Sequence, residues 1–535
     1  MNKFVIIIVL FATNAFCASN YYTGTDIIDP SPSALSVGDT YTDTTTGATV
    51  ERRTLNTTLL PEQPSSSMIV YSRFSALNSN GTYFVVHGVD STSAWIVRES
   101  DNVVLHKVNP GSGVGAANDE IGEAHEIRWD NSGSYPNRIY FVYGMKFWMM
   151  DVIDGNDTST LVHDFSTEYP AGVKILNDVE GDSSADSRYW AWQVLGEYTT
   201  TTVIPSQHYK RIAIITYDKT TDTVLGDILP GDVTPTANEA GWAAELPIPN
   251  MVEISPNGDR LMTNYSRCYT GSPTQDFCST ELDGAWVWNL DISSQIKVGI
   301  TETHSGWGFK NGKQLFVHHM NRPQGSVEDT LQACYTDGTG GAYPDNCFNI
   351  MKFADHNYLG QHLTRMPSSK PGWIIMSTYM EDYPAIERDT AYSLNVFKSL
   401  NGYQYKATVG GTTASSTPTF PTTTGATVAD GTVTWTCRGR TYLNNQVLGI
   451  ELKDYTDNPR IWRISPTYND YLFTDADRYR DEASAALSFD GDSVYWTSNW
   501  NAHDGTGEVY SVDLPSNWTA ILDGAQPLGT VLLGQ

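Results

Sequence analysis

Pairs of apolar runs joined by a tight polar turn bearing glycine recur along this chain, and that recurrence constrains its fold more than any other feature. Ser255-Pro256-Asn257-Gly258-Asp259 leads into Arg260-Leu261-Met262, and Ser488-Phe489-Asp490-Gly491-Asp492 leads into Ser493-Val494-Tyr495-Trp496. Weaker copies stand at Asn78 to Gly81, Asp130 to Gly133, Lys310 to Gly312 and Ser368 to Gly372. Glycine supplies the positive φ that a two-strand turn needs, and the Asp or Asn beside it bonds its own backbone. A return about every 50 to 70 residues is the mark of one supersecondary unit copied along the chain.

Strand-like segments dominate, long 3.6-period segments are absent, and Trp, Tyr and Phe are abundant, as sheets packed face to face require. The expected fold is all-β, a seven-bladed β-propeller with a small β insertion in a late blade. Residues 67–535 form the ring in this reading. Its blades run Ser72 to Asn109, Gly122 to Ser166, Asn177 to Pro230, Met251 to Gly299, His304 to Arg365, Pro371 to Ser465 and Ala483 to Leu514. The third blade has the least clear turn. Residues 20–66 precede the ring, and the alternating stretch Tyr41 to Leu59 is placed as the strand that closes it, because closure removes exposed edges. Blade five is read with a Gly-rich insertion from Pro323 to Asn346, and blade six with a larger one over 383–445, rich in Thr, Gly and Pro.

The chain opens with one basic residue, Lys3, an apolar run from Phe4 to Ala12 and small residues from Ala15 to Ser19. That pattern predicts a secretory signal peptide over 1–19 and a secreted or periplasmic protein. Cys17 as a lipid anchor is the weaker alternative, because bulky Phe16 precedes it. No later segment is long and apolar enough for a membrane span. With 33 basic against 61 acidic residues the net charge is −28, which repels nucleic acid and anionic membranes. An anionic polymer binds such a chain only through a local cluster of Arg, His or metal. In an oxidising compartment Cys268 with Cys278 and Cys334 with Cys347 are the expected local disulfides, leaving Cys437 over. A structural zinc on Cys334, Cys347 and His356 is the minority alternative.

Propeller geometry says where chemistry collects. Inner strands begin on the top face and second strands end there, so those two kinds of position share one rim. His125 and His304 begin first strands. His87, Tyr143, Tyr265, His319 and Tyr379 end second strands, and Arg267, Arg322 and Asn501 lie close to such ends. His318 and His319 point to opposite faces, so at most one joins the site. His106, His163, His208 and His362 fall on third or fourth strands or their connections in this blade division and are assigned no special role. The mixture suits β-elimination from a uronate polymer: Arg neutralises the carboxylate, a His or Tyr takes the neighbouring proton, and a Tyr or His protonates the leaving oxygen. The catalytic candidates are His125, His304, His319, Tyr265 and Arg267. His87, Tyr143, Arg322, Tyr379 and Asn501 are the substrate-binding candidates.

A propeller of this size with a His/Tyr/Arg rim resembles the seven-bladed polysaccharide lyases that degrade ulvan and, more distantly, the propeller oligogalacturonate lyases. It also resembles the periplasmic propellers with Ser-Pro-Asp-Gly turns, through Ser255 to Gly258 and Ser488 to Asp492. The architectural likeness spans roughly residues 70 to 515. It implies a His and Tyr pair with an Arg neutraliser, for which His125, His304, His319, Tyr265, Arg267 and Arg322 are best placed. The Thr/Gly/Pro-rich piece with Gly410-Gly411-Thr412 through Pro418, Pro421 and Asp430 to Cys437 resembles small β-modules of phage tail and secreted bacterial proteins.

Other site types fare worse. His-Glu-x-x-His, Gly-x-Ser-x-Gly and P-loop motifs do not occur. A divalent metal, calcium or zinc, is the cofactor such a rim could take. His304 with one of His318 and His319 could ligate it, and Asp151 to Asp157 has the flavour of a calcium loop without its spacing. A glycoside hydrolase needs two facing carboxylates, and Glu126, Glu253 and Glu381 offer no singled-out pair. The leading expectation is a monomeric secreted lyase acting on an anionic, ulvan-like polysaccharide. The alternative is a non-catalytic propeller that binds a glycan or a partner protein.

Overall fold

A computed structural model describes residues 33, 35–44, 46–54, 67–88, 94–108, 127–152, 158–177, 180–197, 209–232, 249–265, 284–299, 304–320, 330–352, 360–379, 385–401, 403–423, 425–440, 445–469, 482–500 and 507–524. Seven antiparallel sheets follow one another along the chain, apart from two small sheets of the insertion. The inner strands of the first five are Ser67–Ile69, Arg128–Trp129, Gly172–Leu176, Pro249–Ile254 and Ser305–Lys310. Those of the sixth and seventh are Gly360–Leu363 and Ala486–Leu487. Each sheet then meanders outward, as expected of a β-propeller with seven blades. The seventh sheet carries two extra outer strands from the start of the chain: Thr49–Arg52 pairs with Glu508–Asp513, and Thr40–Thr42 pairs with Thr49–Arg52. Buried clusters join sheets one, two and seven, two and three, three and four, four and five, and five to seven. Together they close the ring.

The turn signature reports the backbone accurately. Gly81, Gly133, Gly258, Gly312, Gly372 and Gly491 all sit at positive φ. In the seventh sheet the Ser488 hydroxyl accepts the N–H groups of Asp492 and Ser493. Sheet three shows why its turn was obscure. Ser187, at φ 52, stands where the others use glycine, while the Ser184 hydroxyl accepts from the N–H groups of Arg188 and Tyr189.

Two boundaries differ from the sequence reading. Pro323 to Asn346 is no single insertion, because Thr330–Tyr335 is the third strand of sheet five and pairs with Cys347–Lys352. Gly360–Leu363, assigned from sequence to the tail of blade five, is the inner strand of sheet six, paired with Trp373–Tyr379. The turn at Ser368 to Gly372 had signalled this, since a first strand must precede it. Trp373–Tyr379 pairs next with Gln446–Glu451, and the strands between 391 and 440 pair with one another around a buried core that includes Tyr405, Val433 and Trp435. Cys334 and Cys347 are disulfide-bonded opposite one another in sheet five, and Cys437 is a buried free thiol. Cys268 and Cys278 lie outside the described residues. Among those described, no helix is long and apolar enough to cross a membrane.

Candidate functional site

Side chains from five of the seven sheets meet at the centre. Arg73, from the first sheet, reaches Glu253 in the fourth (3.3 Å) and donates to the Ser305 hydroxyl in the fifth (2.6 Å). Glu180 lies 3.7 Å from Arg73, and Arg365 stands 3.5 Å from both Asp182 and Glu253. Glu253 is wholly buried, and burial raises its pKa against the opposing pull of Arg73 and Arg365. Its contacts with Arg73 and Arg365 make it the shared plug of both guanidinium groups at the ring's centre.

Beside this plug sits an aromatic and imidazole cluster built by sheets five, six, seven and one. The inner strands of sheets five and six bond to each other in parallel: Trp307 N–H donates to the Thr364 carbonyl (3.3 Å) and Met366 N–H to that of Trp307 (2.9 Å). Glycine at 306 permits this approach, because a Cβ there would lie 2.3 Å from the Thr364 carbonyl oxygen. As a result the rings of His304 and His362 stand 4.5 Å apart. Tyr379 stacks on His362 at 5.1 Å and lies 6.4 Å from His304. His319 pairs with His304 through its backbone N–H (3.2 Å). The Nε2 of His362 is 3.2 Å from a Glu482 oxygen, and its Nδ1 is 3.1 Å from the Tyr71 hydroxyl.

The electrostatics of this cluster keep its imidazoles neutral. Burial pushes His362 down to about 3, with Arg73 adding to the effect. Burial, His304 and His318 push His319 down to about 3. His304 falls well below its ordinary value through burial, His362 and Arg73, while a backbone hydrogen bond with Gln361 pulls the other way. His319 and His362 are buried, whereas His304 is partly exposed. An unprotonated imidazole at the edge of a buried cluster can accept a proton from a bound molecule.

Of the sequence candidates, the structure brings together His304, His319 and Tyr379. His318 points the other way, stacked on Phe316 at 5.4 Å near Cys334, as strand alternation requires. His87 is buried at the end of Tyr83–Gly88 opposite Met68, and Tyr143 ends Arg138–Tyr143 opposite Lys146. The backbone of Tyr265 ends the second strand of sheet four, and its side chain lies outside the description, as do His125, Arg267, Arg322 and Asn501. His362, given no role from sequence, is at the cluster's centre. The misplaced boundary had put it on an outer strand. Tyr71 and Glu482 were missed because nothing near them in the chain marks them. His163 bridges Glu168 (3.0 Å) and Asp222 (2.6 Å) on outer strands, away from the centre. Among the described residues no three His, Cys, Asp or Glu side chains form a metal-ligand group.

No protein-family profile and no curated protein matches this chain. Among solved structures, an oligogalacturonate lyase from Vibrio parahaemolyticus is similar at 11% identity and a TM-score of 0.49, covering 90% of this chain and 100% of that one. The tricorn protease is similar at 10% identity and a TM-score of 0.38, covering 85% of this chain and 34% of that one. The β-propeller domain of the Trilobed protease from Pyrococcus furiosus has 10% identity and a TM-score of 0.30, covering 74% of this chain and 98% of that one. The propeller assignment stands on the strand pairing above, and these distant likenesses add no argument about activity.

Proposed function

We propose that this protein is a secreted polysaccharide lyase that cleaves an anionic, uronate-containing glycan of the ulvan type by β-elimination. The observation that carries the reading is the packed group of neutral imidazoles and phenols, His304, His319, His362, Tyr71 and Tyr379, with His304 partly exposed at its edge. Removing the proton beside a carboxylate needs an unprotonated acceptor, which this cluster supplies, and a cation to neutralise the carboxylate. Arg73 and Arg365 are already engaged with Glu253 and Asp182. The neutralising cation in this reading is therefore Arg267 or Arg322.

The test is direct. Purified protein is mixed with ulvan, alginate and pectin, and the ultraviolet absorbance of the unsaturated uronate end is followed. Product from at least one polymer is expected, and replacing His304 by Ala should abolish most of it. Absence of product from every uronate polymer refutes the lyase. The engagement of both central guanidinium groups favours one competing reading, a propeller that holds a glycan without cleaving it. That reading predicts binding without turnover, undiminished in His304→Ala.

A further inference from the structure

We propose that the insertion between Tyr379 and Gln446 carries a second glycan site: the outer face of its four-stranded sheet, centred on Lys406, holds an acidic polysaccharide chain for the ring. This takes from the lyase reading only the negative charge of the glycan, and it is decided by binding rather than by cleavage.

Charge singles out the insertion first. Residues 385–440 hold five basic and three acidic residues, a net +2 in a chain of −28. Of the three acids, Asp430 is turned inward. It is buried, pairs with Arg388 (2.8 Å) and accepts the indole N–H of Trp435 (3.2 Å). Glu387 and Asp389 belong to the segment whose Ile386 and Tyr392 pack on the core side of the sheet. A polyanion repelled by the molecule as a whole meets local attraction here.

Strand alternation then decides which cation can meet it. The sheet is built of Phe397–Leu400, Tyr403–Val409, Val433–Arg440 and Thr427–Asp430, in that order. Tyr405, Val433 and Trp435 face its core, so their neighbours face away, as in any antiparallel sheet with one covered face. Phe397, Lys406, Thr436 and Thr427 stand opposite one another across all four strands on that outer face. With strands about 4.8 Å apart, the row is about 14 Å long. Thr427 is exposed and the other three are half-buried. The Lys406 ammonium lies 5.4 Å from the centre of the Phe397 ring, and the exposed Thr408 hydroxyl is 3.0 Å from that of Thr436. None of these side chains is acidic. Together they offer a ring to stack on a pyranose, hydroxyls for its hydroxyls, and an ammonium for its carboxylate or sulfate. Lys398 serves the other face: it pairs with Tyr405, and its ammonium lies 5.3 Å from the centre of the Tyr392 ring.

The tether places this face usefully. The insertion leaves the ring at the end of Trp373–Tyr379, and the Tyr379 ring stacks on His362 in the central cluster. The short link from Tyr379 to Ala385 spans at most about 20 Å. A glycan held on the sheet therefore stays close to the rim, and its second contact becomes intramolecular.

The test is affinity electrophoresis of the full chain through gels containing ulvan, alginate, neutral dextran or polyglutamate. Ulvan or alginate should retard wild type, and dextran should not. Lys406→Glu should weaken that binding about fivefold or more, and Lys406→Gln by about two- to fivefold. Lys398→Glu makes the same change of charge on the other face and should stay within about twofold of wild type. Circular dichroism checks that each variant is folded. A folded Lys406→Glu variant that binds within about twofold of wild type overturns the proposal. So does an equal loss in Lys398→Glu, retardation by dextran as strong as by the acidic glycans, or a Lys406-dependent retardation by polyglutamate that matches theirs. Cleavage is read separately. On a polymer that is cut, Lys406→Glu should raise KM about fivefold and leave kcat within about twofold. Protein that binds through Lys406 but releases no unsaturated product removes the lyase reading and keeps this one.

Discussion

Three neutral imidazoles packed together, two of them buried, should make this fold sensitive to mild acid, and the size of the effect follows from the structure. In the folded chain His319 and His362 take up a proton only near pH 3, and His304 only well below its ordinary value. In the unfolded chain each titrates near 6.5. A histidine whose folded pKa is depressed contributes stability in full above the unfolded value, and loses it as the pH falls from 6.5 toward the folded value. Between those limits the unfolded state binds the extra proton. For one such residue the loss from pH 7 to pH 5 is about 2 kcal/mol. At pH 5 the folded rings of His319 and His362 are still neutral, so their part of the loss is fixed by the unfolded pKa and hardly depends on how deep the native shift goes. Urea unfolding of wild type and His319→Gln at both pH values isolates one of these rings, since carboxylates titrate alike in both proteins. The variant should lose about 2 kcal/mol less than wild type over that interval. An equal pH dependence in the two proteins would show that His319 is protonated in the folded chain and that the buried neutral cluster is wrong.

Glu253→Ala leaves Arg73 and Arg365 without their shared carboxylate in the ring's centre and should cost about 3–5 kcal/mol in urea unfolding; a change below 1 kcal/mol would mean that the plug does not hold the inner edges together. Replacing Cys334 and Cys347 by Ala opens a cross-link of sequence separation 13 and should cost about 3 kcal/mol by the chain-entropy account, measured as a lowered Tm that reducing agent reproduces in wild type. Gly306→Ala should weaken the contact between sheets five and six, since its Cβ has no room beside the Thr364 carbonyl, and proteolysis of the variant should begin there earlier than in wild type. Replacing 380–445 by a short Gly-Ser link should leave the ring folded, because Trp373–Tyr379 and Gln446–Glu451 already pair directly; loss of the sheet signal in circular dichroism would show that the insertion is part of the ring's core.

Local chemistry carried much of the architecture. Ser255 to Gly258 and Ser488 to Gly491 specify turns whose glycines need positive φ, and alternation along Lys313–Met320 sends His318 and His319 to opposite faces. These follow from backbone sterics and the two-residue period of a strand, so neighbours in the chain suffice to state them. The rim rule, applied to strand ends, found His304, His319 and Tyr379. It missed His362 for want of one strand boundary, although the turn at Gly372 had marked where the strand before it must lie.

Proximity across the ring could not be read in this way. Tyr71, His362 and Glu482 come from the inner edges of three sheets, 291 and 120 residues apart in the chain, and Arg73 meets Glu253 from the far side of the circle. No local pattern encodes those meetings. They arise when closure of the ring aims separate inner edges at one axis, and burial there, a property of the assembled fold alone, is what holds the imidazoles neutral.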